Sequence, residues 1–341
     1  MNAYTGTAGT GAAFDASANV VVAGYAVHVP GASSWETGGA APEGEPMCSA
    51  EEAQQILGRK GLLFKEPATR LAMCATQRAL GLPDGRPTGP IDLADRTAVV
   101  VSSNLGNLET VCRIAVGVRE SDYRVVSPLE TPNASSNVIA STLAIRFKVT
   151  GANFMLCNGA TSGTDAIRLG ARLIRAGRAE QVIVVGAEPE DEVSQALAKS
   201  RDPGTYGEHG IPALRAAAAC VVLAKQGDRP AAGRQVLLGP SGVLPPGAER
   251  RRVVPPELCG LVHVPYGLTP LPRDRCASLG PQEWVDLTER LGETYGALGV
   301  LQVAAAAASL SAADGPQSAY TACGDSVEGY GWQSLSVQDQ A

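Results

Sequence analysis

GANFMLCNGATSGTDAIRLGARLIRAGRAEQVIVVGAE, residues 151–188, reads as a strand, a tight turn, a helix and a second strand. Phe154-Met155-Leu156-Cys157 is a short apolar run that fits a buried strand. Gly159 and Gly163 bracket the turn, where a missing Cβ lets the backbone bend sharply and pack closely. Ala166, Leu169, Gly170, Leu173 and Ile174 recur at helical spacing, so the helix buries that face, and Gly177 ends it. Residues 181–186, QVIVVG, form the next buried strand. A side chain at such a strand-to-helix corner is exposed, and the first helical amides point at it, so this is where a nucleophile would stand. The residue there is Ala160, whose methyl group can do no such chemistry.

The rest of the chain is compatible with a layered α/β protein. It has 341 residues, 45% hydrophobic, with a formal net charge of −6. That length can bury a large core, either as one two-lobed domain or as two fused ones. Aromatic residues are only 4% while Ala and Gly are abundant, so close backbone packing rather than large aromatic anchors builds the core. No apolar run approaches the ~18 residues of a membrane span, and the mild acidity argues against nucleic acid as a partner. MNAYTGTAGTGAAFDASAN at the N-terminus has neither a basic flank nor an apolar core, so it is not read as a secretory signal. Residues 1–18 are expected to be a disordered lead-in, and the protein cytoplasmic. The eight cysteines (48, 74, 112, 157, 220, 259, 276 and 323) have no CxxC spacing and no nearby histidine pair, so no metal site and no cofactor is expected. Cys157 is three residues from Ala160, but strand geometry is expected to bury it.

Along the chain, residues 19–30 read as a first strand and loop, with His28 a loop residue. A helix is expected over 66–81 with Ala68, Leu71, Ala72, Ala75 and Leu80 on its core face, strands at 98–101 and 218–224, and a helix at 105–117. Residues 200–212 hold Pro, Gly and His209 in a loop. The Gly/Pro/Arg-rich stretch 226–256 reads as a linker between an N-terminal half, 19–225, and a shortened C-terminal half, 257–341. Arg168, Arg172, Arg175 and Arg178 make a basic stripe, read as a solvated helix face or as a surface for an acidic partner.

Taken together, these segments resemble the β-ketoacyl synthases. Cys157-Asn158-Gly159-Ala160-Thr161-Ser162-Gly163 resembles that family's DTACSSG-like nucleophile turn, with Ala160 at the cysteine. Asn107-Leu108-Glu109-Thr110 resembles GGLET. Val126-Ser127-Pro128, Pro132-Asn133 and Ala144-Ile145-Arg146-Phe147 resemble its VSP, PN and SIRFG elements, in order. The resemblance implies a thiolase-like αβαβα layered fold of two related βαβαβ halves. It places Thr288 at the lysine and Glu293 at the histidine of a KSxxGHT-like motif, ahead of the small-residue stretch 296–308. His263, after Cys259-Gly260-Leu261-Val262, is a possible remnant of the family's other histidine. The GFGGxN-like turn is absent, with residues 321–326 near its place.

These departures have one physical meaning. Claisen condensation needs a thiolate to hold the chain as a thioester and imidazole donors to stabilise an enolate. A methyl group carries no acyl chain, and a carboxylate at 293 repels an enolate. No catalytic residue is therefore expected. The resemblance implies instead a chain-length factor, the subunit of a type II polyketide synthase that lacks the cysteine, pairs with an active ketosynthase as a heterodimer, and works with an acyl carrier protein. In such subunits a helix matching residues 127–140 lies at the heterodimer interface and closes the polyketide tunnel, which singles out Asn133, Ala134, Ser135, Asn137 and Val138. Two alternatives stay open. One is an acyltransferase or thioesterase on the same fold, with Thr161, Ser162 or Cys157 as nucleophile and His263 as base. The hydroxyls of Thr161 and Ser162 read more simply as caps of helix-start amides. The other is a homodimeric scaffold that binds a carrier protein.

Overall fold

The computed structural model describes residues 19–34, 36–40, 47–200, 213–227, 234–247, 264–266, 285–325 and 327–338. In chain order the first half holds β1 (Val20–His28), α1 (Gln54–Leu57), α2 (Pro67–Ala79), β2 (Thr97–Ser102), α3 (Leu108–Glu120), α4 (Val138–Phe147), β3 (Asn153–Leu156), α5 (Ser162–Arg175), β4 (Gln181–Glu188), α6 (Glu192–Ser200) and β5 (Ala217–Lys225). The second holds β6 (Gln235–Leu244), β7 (Val264–Tyr266), α7 (Leu287–Leu291), α8 (Leu298–Ser311), β8 (Ser318–Asp325) and β9 (Gly329–Gln338).

The strands form one nine-stranded sheet in the order β3-β2-β4-β5-β1-β6-β9-β8-β7. Two halves related by a repeat are visible in it. On one side β2 and β4 are parallel, β4 and β5 antiparallel, and β5 and β1 antiparallel. On the other, β7 and β8 are parallel, β8 and β9 antiparallel, and β9 and β6 antiparallel. β6, β7, β8 and β9 thus repeat β1, β2, β4 and β5, and α8 before β8 repeats α5 before β4. The halves join where Val20 and Val21 pair with Leu238 and Leu237. This is the thiolase-like layered arrangement.

Strands β2, β4 and β5 are near-continuous apolar runs because both of their faces are covered. Val100, Val182, Val184, Val221 and Leu223 point into one core with α5 and α8. Their neighbours Val99, Val101, Ile183, Val185 and Val222 point into a second core with α2 and α4. Helix α8 (LGVLQVAAAAASLS) is buried almost all round, as a helix in a central layer must be, and its alanines let both halves of the sheet approach. Helix α5 is also a central helix. Ile167 and Ala171 are buried along with Ala166, Gly170 and Ile174, so two faces are covered rather than the single one that periodicity implies.

The two central helices touch backbone to backbone. A Cβ on Gly163 would lie 2.8 Å from Gly299 N and 2.9 Å from Gly299 Cα. Each glycine is the second residue of its helix, so the contact lies close to the repeat axis.

Several expectations change. Residues 226–256 are not only a linker: β6 runs through them, with Val236 and Leu238 buried in the joint between the halves, a pattern masked by the Gly and Pro around it. His28 is the last residue of β1 and is buried. Its Nε2 is 2.9 Å from Cys48 O, and burial pushes its pKa down. β3 is an edge strand, not a buried one, and Phe154 is 39% exposed. The stretch 127–140 is not a continuous helix. A 3-10 turn covers Thr131–Ala134 and the α-helix starts at Val138. Residues 1–18, His209, Cys259, His263 and Cys276 lie outside the described residues. No helix among the described residues is long and apolar enough to cross a membrane.

Gly163→Val should drive α5 and α8 apart. Such overpacking should lower the stability of the chain by about 3 kcal/mol, read from urea unfolding, while Gly89→Val, where a Cβ meets nothing within 4 Å and φ is not positive, should cost far less.

Candidate functional site

Both central helices begin in the same way, with a three-residue 3-10 turn. These turns are Gly159–Thr161 before α5 and Tyr295–Ala297 before α8. The first residue of each has positive φ, 78° at Gly159 and 40° at Tyr295. Gly159 adopts it without strain, whereas Tyr295 must be held in it. The two turns face each other across the repeat axis, and Ala160 is the middle residue of the first.

Side chains from both halves hold this corner. Asn104, just past β2, grips Gly159 at both backbone groups: its Nδ2 donates to Gly159 O (3.0 Å) and its Oδ1 accepts from Gly159 N (3.0 Å). Ser162 Oγ accepts from Asn158 N (2.6 Å) and donates to Asn104 Oδ1 (3.1 Å). Thr161 Oγ1 donates to Asp165 Oδ2 at 3.0 Å. Neither hydroxyl caps an amide of α5 itself, contrary to the sequence expectation. Both are committed to the turn and buried.

The middle amides of the two turns each meet a carboxylate from the opposite half. Gly296 N donates to Glu188 Oε1 at 3.2 Å, and Ala160 N donates to Glu328 Oε2 at 2.6 Å. Glu188, at the end of β4, also accepts from Asn104 N (2.7 Å), Leu105 N (3.0 Å) and Ser103 Oγ (3.3 Å). It is fully buried, and that burial pushes its pKa up to about 7, although the donors around it pull the other way. Glu328 sits on the β8–β9 turn, fixed by Val327 N (2.9 Å) and its own N (2.7 Å) donating to Asp325 Oδ1. Its Oε1 accepts from Tyr295 Oη at 2.8 Å.

A cavity of about 530 Å³ opens beside Gly159. Asn104, Cys157, Asn158, Glu293, Tyr295 and Glu328 give it polar walls, and Leu105, Leu197, Ala198 and Leu214 give it apolar ones. Glu293 faces this cavity and accepts from Tyr295 N at 2.6 Å, the bond that holds the positive-φ residue. Thr288 does not line it. It lies in the first turn of α7, where its N–H meets Asp286 Oδ1 at 2.9 Å. Cys157 is exposed, since β3 ends at Leu156, and its thiol donates to Ser103 O at 3.1 Å. Partial desolvation of its sulfur against the cavity wall first, then the charge of Glu188, raises its pKa, which works against a thiolate although the residue as a whole is exposed. Arg168 pairs with Asp165 at 3.0 Å, and Arg172 and Arg178 are exposed.

Of the residues singled out for a tunnel, Asn133 is buried and its Nδ2 donates to Phe64 O, while Ala134 O accepts from Asn107 Nδ2 at 2.9 Å. Asn137 Nδ2 bridges Ser141 Oγ (3.0 Å) and Asn153 Oδ1 (3.1 Å). Val138 is buried and Ser135 exposed. These five surround the start of α4 and do not enter the cavity at Gly159. Sequence reasoning missed Asn104, Glu188, Tyr295 and Glu328. The first two stand at the carboxyl ends of buried strands, Asn104 just past β2 and Glu188 at the end of β4, a position that signals a site in α/β sheets. Nothing in GDSVEGYG marks Glu328.

Comparisons with known proteins agree with this architecture. Residues 51–205 match the β-ketoacyl synthase N-terminal domain family. The 3-oxoacyl-(acyl-carrier-protein) synthase 2 of Rhizobium meliloti (strain 1021) is 29% identical over 123 residues, 36% of this chain and 29% of that protein. The synthase 2 of Vibrio cholerae serotype O1 (strain ATCC 39315 / El Tor Inaba N16961) is 33% identical over 95 residues, 28% of this chain and 23% of that protein. The aligned stretch therefore spans under a third of these curated relatives. Among solved structures, the ishigamide ketosynthase/chain length factor superposes with a TM-score of 0.68 at 18% identity, covering 95% of this chain and 100% of that one. A type II polyketide synthase acyl-carrier protein in complex with its ketosynthase gives 0.68 at 12% identity, covering 94% and 99%. The chain has the thiolase-like fold of these solved structures, and its residues 51–205 are similar to the ketosynthase N-terminal domain. The corner that opens α5 carries Ala160.

The Glu188 carboxyl binds its proton more tightly when folded than when unfolded. The stability it contributes is full below its unfolded value near 4.5 and is lost as pH rises to about 7. His28, with its lowered pKa, contributes the opposite slope, so the test compares two proteins. The wild type should lose on the order of 3 kcal/mol across that window relative to Glu188→Gln. Glu188→Gln should itself be less stable at pH 5, because an amide NH₂ then faces backbone donors. Urea unfolding from pH 4.5 to 8 measures both.

Proposed function

We propose that this chain is a noncatalytic, chain-length-factor-like subunit that pairs with an active ketosynthase in the cytoplasm and helps shape the tunnel in which a carrier-bound polyketide or polyene grows. The observation that carries the reading is Ala160, a methyl group at the middle of the turn that opens α5, in a fold whose condensing members need a thiolate. The solved neighbours support the kind of partner, since one is a ketosynthase/chain length factor and another a ketosynthase with its acyl-carrier protein.

A partner surface is also in keeping with the exposed apolar side chains. Helix α3 (LETVCRIAVGVRE) buries only Thr110 against its own chain. Val111, Val116, Val118, Tyr123, Val125 and Leu129 are exposed around it, with Ile145 on α4 and Phe154 on the unpaired edge of β3. Exposed apolar side chains on a helix and a strand at a sheet edge are each marks of an association surface. The acyltransferase or thioesterase reading has one observation in its favour, the Cys157 thiol in the cavity wall. Its raised pKa and its bond to Ser103 O weaken that reading.

Co-expression with a candidate ketosynthase, followed by native mass spectrometry with malonyl-loaded carrier protein, tests the proposal. The expected result is a one-to-one complex acylated only on the partner. A homodimer that itself takes up acyl mass would sink it. Phe154→Glu should weaken that complex at least about tenfold, the scale of a lost buried contact, with no change in the circular dichroism of the free chain. Ala134→Phe should shorten the products of the complex, read by mass spectrometry. Unchanged product length in that variant and in Ser135→Phe would remove any gating role for this stretch.

A further inference from the structure

We propose that Glu328 is the residue that determines what the corner at Ala160 can hold: its carboxylate occupies the amide that an acyl carbonyl or other anion would need, so the site is closed by two independent changes and not by the missing thiol alone. The inference rests on reading this corner as a former acyl site, but it makes a separate claim about a different residue.

Three observations carry it. First, when a nucleophile at a helix start is acylated, the carbonyl oxygen turns to nearby backbone N–H groups, commonly including the nucleophile's own. At residue 160 that N–H is already bonded to Glu328 Oε2 at 2.6 Å. Second, Glu328 is fixed there by more than this one bond. Tyr295 Oη donates to its other oxygen at 2.8 Å, and the Asp325 turn orients its backbone. Gly159 leaves room for it, since a Cβ on Gly159 would lie 2.5 Å from Glu328 Oε2. Third, the internal repeat supplies a control. The equivalent middle amide in the other half, Gly296 N, is bound by the buried Glu188. No acyl group is read at that corner, and the carboxylate there ties turn to strand. Glu328 treats the Ala160 corner in the same way, which turns a reactive corner into a structural one.

The chemical consequence is specific. A thioester carbonyl or a carboxylate at residue 160 would meet a like-charged or acceptor-only group where it needs a donor. The cavity beside it therefore excludes acyl carbonyls and anions at that wall, whatever its apolar side admits.

The test restores the thiol and asks whether it becomes reactive. In the full chain carrying Cys157→Ser, the Ala160→Cys thiol is alkylated with iodoacetamide from pH 6 to 10, and modification of the peptide spanning residue 160 is followed by mass spectrometry. With Glu328 in place the thiol should react slowly, with a high pH midpoint. Adding Glu328→Gln should lower the midpoint by about one unit and raise the rate near neutral pH about tenfold. Tyr295→Phe, which frees only one carboxylate oxygen, should give a smaller acceleration. Identical rates and midpoints with and without Glu328 would overturn the proposal. Should the triple variant unfold, the backbone amide of Ala160 in otherwise wild-type protein offers a second readout. Its proton resonance should move upfield in Glu328→Gln, and an unmoved resonance counts against the bond. Neither measurement involves a partner, so the outcome is independent of whether the chain pairs with a ketosynthase.

Discussion

The contact on which the rest of the structure depends is the meeting of Gly163 with Gly299, where two central helices pass with no side chain between them. Because the backbones touch, the 3-10 turns that open α5 and α8 are brought face to face, and each comes within reach of a carboxylate from the opposite half. A single Cβ at either glycine would separate the helices and disconnect Glu188 from Gly296 and Glu328 from Ala160. The same contact sits at the start of α8, a helix buried over most of its length, which accounts for its run of alanines.

Around that axis the two corners have diverged in what they carry but not in how they are held. On one side Asn104 receives the first amide of the turn and Glu328 the second. On the other Glu293 receives the first and Glu188 the second. Four side chains thus satisfy the exposed N–H groups that open each central helix, a requirement that backbone polar groups in a buried place impose regardless of function. A carboxylate at such a helix start is electrostatically favoured. Both corners of this chain hold one, Glu188 at Gly296 N and Glu328 at Ala160 N.

The uncovered side of the molecule tells a separate story. Strands β2 and β4 are buried along their whole length, yet α3 fully buries only Thr110 and β3 lies at the edge of the sheet of described strands. That apolar surface is where the proposed pairing would take place.

The resemblance of its motifs implied the layered α/β class, and the sequence by itself determined the strand–turn–helix–strand unit at 151–188, the place of Ala160 in its turn and the small-residue helix after Glu293. Each of these is local: it follows from periodicity, from glycine at a bend, or from the identity of one side chain. What it left undecided depends on distance. Phe154 and Cys157 read as buried because an apolar run cannot say whether its strand is central or at an edge. The strand β6 was hidden within 226–256 because its flanks are Gly- and Pro-rich and its partners are far away, β1 nearly the whole first half upstream and β9 near the end. Ile167 and Ala171 are buried because α5 has layers on both sides, a fact periodicity registers only as a less clean face. Glu328 is 168 residues from Ala160. No spacing rule links them, and only the packing of two repeated halves across their glycines brings that carboxylate to that amide.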